Sequence, residues 1–172
     1  MPTDKDEGQE LSYTPGTREP GRLVVKVVKA YYTPDGRTQF PALPPVVFRS
    51  HPSKPWNDKG RLVLAKAEPL HMRSQPFYNE ELQAETDEGL VWPTHQLTLD
   101  HDQWNDLPEE TKLAVIDREL FGILHGPPPR GVHPEVAERH GRNLPDVRDA
   151  EKATAQGKLP GTNGINEGDE DE

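Results

Sequence analysis

Seven histidines and no cysteine set the terms for metal chemistry in this chain. A zinc ion would have to be held by imidazole and carboxylate. Ligands must converge on one point, and spacing limits which histidines can do so. His133 and His140 are seven residues apart, about 10 Å along a helix, too far to share an ion. His95 and His101 flank an alternating segment around Leu97 and Leu99 and could approach a neighbouring helix, although ordinary strand-end residues would look the same. No glycine-rich phosphate loop is visible, and no Ser/His/Asp or Cys/His arrangement stands out from its spacing.

The elements that would position such residues can be read from hydrophobic period and turn chemistry. Val24, Val27, Val28 and Tyr31 follow helical spacing within Leu23 to Tyr32, with Arg22, Lys26 and Lys29 outside, so a helix is expected there despite the β-branched content. Pro34-Asp35-Gly36 is a turn signal, and five prolines between 41 and 55 keep that stretch extended around a short strand at Val46 to Phe48. Pro55 to Gly60 reads as a hairpin-like turn leading into an alternating strand over Arg61 to Ala67. Residues 74–89 are polar and acidic and are expected to form a loop, and a third short strand ends at Asp100.

The clearest element is a helix from Asp106 to His125. Asp106 is expected to cap it and Glu109 to close a capping box, with Pro108 where no amide partner is needed. Leu113, Ile116, Leu120, Ile123 and Leu124 recur at helical spacing as one buried stripe, until Gly126 and three prolines end it. A last short helix is expected over Pro134 to His140, with Gly141 at its end.

The segment from Trp104 to Gly122, with its register set by Ile116-Asp117-x-Glu119-Leu120, resembles the active-site helix of the phage metallopeptidase family, which is zincin-like. Phe48-Arg49, the Lys54 to Gly60 turn and Arg61 to Ala67 look like that family's first hairpin. Gln96 to Asp102 looks like the strand before the helix, and Glu138-Arg139-His140-Gly141 with Pro145-Asp146 like its closing segment. The resemblance covers roughly residues 40–148. It implies an H-E-x-x-H motif, in which two histidines one turn apart grip zinc and the glutamate activates the bound water. Those positions here are Arg118, Glu119 and Gly122, so both zinc-binding imidazoles are missing. Glu119 is the surviving member and the candidate catalytic carboxylate; its ordinary alternative is an ion-paired residue beside Arg118, with Lys112 nearly two turns back. Arg118 could instead stand as a fixed cation where a metal would sit. Replacement ligands would come from His95, His101 and His125, though His125 lies two turns beyond Arg118.

Composition frames the whole. With 172 residues, 31% hydrophobic, and 19 prolines, one domain with disordered ends is expected. The net charge of −10 lies mostly in the ends: residues 1–21 carry five acids and two bases, and residues 149–172 seven acids and two bases. The expected organisation is a disordered segment at 1–21, an α+β domain at 22–148 with a short three-stranded sheet packed on one main helix, and a disordered acidic tail at 149–172. Charge is segregated inside the domain, with ten bases against three acids over 22–79 and twelve acids against two bases over 80–119. The basic stretch interleaves Tyr31, Tyr32, Phe40, Phe48 and Trp56, as a nucleic-acid face does, but core aromatics among solvated cations give the same pattern. Glu167 to Glu172 reads as a solubility or interaction tail. With no signal peptide and no apolar run near the roughly 18 residues of a spanning helix, a soluble protein of the bacterial host cytoplasm is expected, with no membrane partner. The leading functional expectation is a catalytically inactive, metallopeptidase-like phage or prophage protein, without cofactor, that binds a macromolecule, protein or nucleic acid. A zinc-dependent peptidase with a rearranged metal site and a small virion or accessory structural protein are the alternatives.

Overall fold

A computed structural model describes residues 11–16, 18–51, 53–70, 82–128 and 131–149. The expected acidic tail falls outside the described residues but for Asp149, as do residues 1–10 and 17 of the expected lead-in and 74–81 of the polar stretch. The described residues mix helix and strand in an α+β arrangement. They divide into two compact units, one ending at Gly126 and one beginning at Pro127.

In the first unit, β1 (Ser12–Pro15) is followed by helix α1 (Arg18–Tyr31) and strand β2 (Val46–Ser50). Two short strands, β3 (Asn57–Asp58) and β4 (Arg61–Leu62), make a hairpin around Lys59 and Gly60, both at positive φ. Strand β5 (Ala65–Pro69) comes next, then a second hairpin of β6 (Ala84–Thr86) and β7 (Gly89–Val91), and β8 (His95–Asp100). Helix α2 (His101–Trp104) is short, and α3 (Glu109–His125) is the main helix. The second unit holds α4 (Pro134–His140) and a 3₁₀ turn at Gly141–Asn143.

The main sheet runs β1-β2-β8-β5, with β8 parallel to β2 and antiparallel to β5. It has four strands where three were expected, and the fourth is β1, from residues expected to be disordered. Nothing in its side chains announces it, because all four of its residues are exposed and it is held to β2 by backbone pairing. The sheet and α1 therefore both take in residues before Arg22. The expected strand over Arg61 to Ala67 is split: Arg61–Leu62 belongs to the small hairpin, Leu62 is exposed, and the sheet strand starts at Ala65. Part of the expected loop at 74–89 is likewise the second hairpin.

Register places Phe48, Leu99 and Ala65 side by side across β2, β8 and β5, and all three are buried. Side chains alternate faces along a strand. The opposite face therefore carries Val47 and Thr98, with Thr98 Oγ1 bonded to Glu68 Oε1 and accepting from Gln96 Nε2. Helix α3 packs on β5 and on α1. With partners on more than one side it buries more than one stripe: Thr111, Lys112, Ala114, Val115, Ile116, Asp117, Leu120 and Phe121 are buried, whereas Leu113, Ile123 and Leu124 are only partly covered. Asp106 does not cap α3. The chain first makes α2, whose N-cap is Asp100, and turns through Asp106 and Leu107, so Pro108 occupies the α3 N-cap position without a side-chain bond. Among the described residues no helix is long and apolar enough to cross a membrane.

Candidate functional site

Helix α3 presents Arg118 and Glu119 to the outer edge of β5. Asp100 donates its amide to Leu64, which sets residues 64, 66 and 68 bonding inward to β8 and turns the backbone groups of Ala65 and Ala67 outward. Glu119 Oε1 accepts the amide of Ala67 at 2.9 Å, and its Oε2 accepts Arg118 Nε at 2.7 Å. Arg118 Nη2 reaches the carbonyl of Ala65 at 3.4 Å. Both side chains are largely covered, 19% and 17% exposed. The pair thus satisfies edge groups that would otherwise stay open to another strand, and Pro69 at the end of β5 has no amide to offer. Lys112, considered as a companion of Glu119, is buried elsewhere and bonds Glu19 of α1 at 3.0 Å.

As a metal centre, positions 118, 119 and 122 are deficient. Arg118 is a donor-only cation with no lone pair to give. Glu119 has both oxygens engaged. Gly122 has no side chain, and a Cβ placed there would meet nothing within 4 Å. Position 122 therefore offers open space and no donor atom.

The other histidines among the described residues do not form a ligand set. His95, at the start of β8, lies against Thr94 Oγ1 at 2.8 Å, and burial lowers its pKa below the usual imidazole value. His101 is at the other end of that strand, edge-on to Phe48. His125 stacks on Phe121 at the end of α3. His133 is buried and His140 half-buried in the second unit. Among the described residues no three histidines, aspartates or glutamates gather as a metal would require.

Two constellations escaped sequence reasoning. Ser53 Oγ lies 3.2 Å from His51 Nδ1, with Asp102 nearby, but Asp102 Oδ2 accepts the backbone amide of His51 and its Oδ1 the hydroxyl of Ser50. The carboxylate therefore braces the backbone of a loop and does not orient an imidazole, which a nucleophilic triad needs. The second is Asp117, fully buried, whose carboxylate and carbonyl both accept from the Tyr32 hydroxyl at the end of α1. Its one legible signal was an acid among the apolar residues of a central helix.

A family model described as "Putative phage metallopeptidase" matches residues 41–149 of the chain. No curated protein and no solved structure matches it.

Proposed function

The chain belongs to the Putative phage metallopeptidase family, and from that premise we propose that it is a catalytically inactive, metallopeptidase-like phage or prophage protein that works by binding a macromolecule. The observation that carries this reading is the Arg118–Glu119 pair bonded to the edge of β5. A general base for zinc-bound water must leave its carboxylate free to take a proton. Glu119 spends one oxygen on a backbone amide and the other on a guanidinium. The guanidinium occupies the position where the family motif has its first imidazole, and the second imidazole position is glycine. Zinc does not fit this donor set, so no hydrolytic step is assigned to it. What is left is a folded scaffold whose function lies in its surfaces. The absence of cysteine supports action in the reducing cytoplasm of the bacterial host.

The test is metal content. Tag-free protein dialysed against a small excess of zinc is expected to retain far less than one zinc per chain by elemental mass spectrometry. The double substitution Arg118→His, Gly122→His restores two imidazoles one turn apart and is expected to raise retention measurably. Near-stoichiometric zinc in the unaltered chain would sink the inactive reading and make His95, His101, His125 and Glu119 the ligands to test.

A further inference from the structure

Helix α1 precedes the region that the family model matches, and its two sides differ sharply. Pro20, Leu23, Val24, Val27 and Val28 are buried. Arg18, Arg22, Lys26 and Lys29 are all exposed. At 3.6 residues per turn these four cations fall within an arc of about 80° and along about 16 Å of axis, so they form one straight stripe. Acids do not neutralise it. Glu19, the acid of this helix, is turned to Lys112 at 3.0 Å. Lys26 approaches Glu109 at 3.8 Å with both side chains more than half exposed, a geometry worth little in water. Arg18, Arg22 and Lys29 have no carboxylate within ion-pair distance among the described residues.

We propose that the α1 stripe is a contact surface for the phosphate backbone of double-stranded DNA. The proposal rests on the reading that the protein acts by binding a macromolecule, and it names the class. Three of the cations recur every four residues, about 6 Å apart, which suits a partner whose negative charges repeat along a line better than a single anion. A bilayer is a poor fit, because the apolar side of α1 is buried in the protein and has nothing to insert. The stripe carries charge without base-reading geometry, so the contact is sequence-independent and salt-sensitive. A chain with a net charge of −10 meets DNA only through such a local patch, and weakly.

The experiment uses the full chain and a labelled DNA duplex of arbitrary sequence, followed by fluorescence anisotropy from low to physiological salt. Four phosphate contacts give an expected slope of log affinity against log salt of about −3 to −4. The variant Arg18→Gln, Arg22→Gln, Lys26→Gln, Lys29→Gln, all at exposed positions and checked for fold by circular dichroism, is expected to lose at least roughly tenfold in affinity and most of that slope. A second variant, Lys54→Gln, Lys59→Gln, Arg61→Gln, removes a second exposed basic group, around the β3–β4 hairpin, and is expected to bind as the parent does. The proposal is overturned if the parent does not bind DNA at low salt, if the α1 variant binds equally well, if only the hairpin variant loses affinity, or if vesicles containing phosphatidylserine are held as tightly as DNA. Zinc content is read separately. DNA binding that fails in a zinc-free protein removes only the nucleic-acid assignment, whereas zinc uptake removes the inactive reading on which it rests.

Discussion

Glu119 shows how one carboxylate changes work without changing type. In an H-E-x-x-H helix it would face a metal; here it faces a strand edge, and its partners are an amide and a guanidinium. Its contribution to stability should be measurable, because removing it leaves the Ala67 amide without its acceptor and Arg118 without its charge partner. Glu119→Ala is expected to destabilise the protein by about 1–3 kcal/mol in urea unfolding. Glu119→Gln keeps an oxygen that can accept from Ala67 and should cost clearly less. Equal stability of parent and both variants would mean that the clamp holds nothing, and would return Glu119 to the list of residues available for chemistry.

At the scale of elements, α3 is the helix around which the first unit is built. Its middle is buried by β5 and α1, and Lys112 is drawn in with its ammonium on Glu19 and over the Trp104 ring, 5.8 Å from the centroid. A helix so situated does not require glycine at 122, whose added Cβ would meet open space. Glycine inside a helix costs about 1 kcal/mol relative to alanine. Gly122→Ala is therefore expected to raise the unfolding free energy by about 0.5–1 kcal/mol. A loss of stability would show that the position is held small by a contact not described above. The same open space admits the Cβ of a histidine at 122, and circular dichroism of the double variant, read before its zinc content, separates ligand chemistry from packing failure.

For the molecule as a whole, the boundary of the family match and the boundary of the folded core do not coincide. The match begins at residue 41, yet Leu23, Val24, Val27, Val28 and Tyr32 are buried, and Tyr32 bonds Asp117 of α3. Four aliphatic side chains at about 1.5–3 kcal/mol each amount to about 6–12 kcal/mol, comparable with the roughly 5–15 kcal/mol that holds a domain folded. A fragment beginning at residue 41 is expected to lack cooperative unfolding and to be cleaved rapidly by protease, while the full chain resists within its described core. A fragment that unfolds as cooperatively as the parent would show that α1 is an appendage, and would weaken the case for treating its outer face as a rigid charged surface.

Local signals determined much of this protein. The 3.6-residue period located α1 and α3, proline and glycine bracketed α4, and Ile116-Asp117-x-Glu119-Leu120 carried the resemblance; the turn over Pro55 to Gly60 was legible, but β2 and β5, which it was expected to join as a hairpin, have β8 between them. That positions 118 and 122 carry arginine and glycine, neither of which can ligate zinc through its side chain, was legible too, because a residue's chemistry is written in its type. What only the tertiary structure decided was partnership. Strand β1 has no apolar alternation, since its edge position asks for backbone bonds and not buried side chains. The true α3 start was obscured because Asp100 and α2 intervene and satisfy the turn that Asp106 seemed placed to cap. The bonds from Ala65 and Ala67 to the Arg118–Glu119 pair, and from Asp117 to Tyr32, join residues more than 50 positions apart. Such contacts leave no local trace, because they follow from how a sheet edge and a helix meet in space.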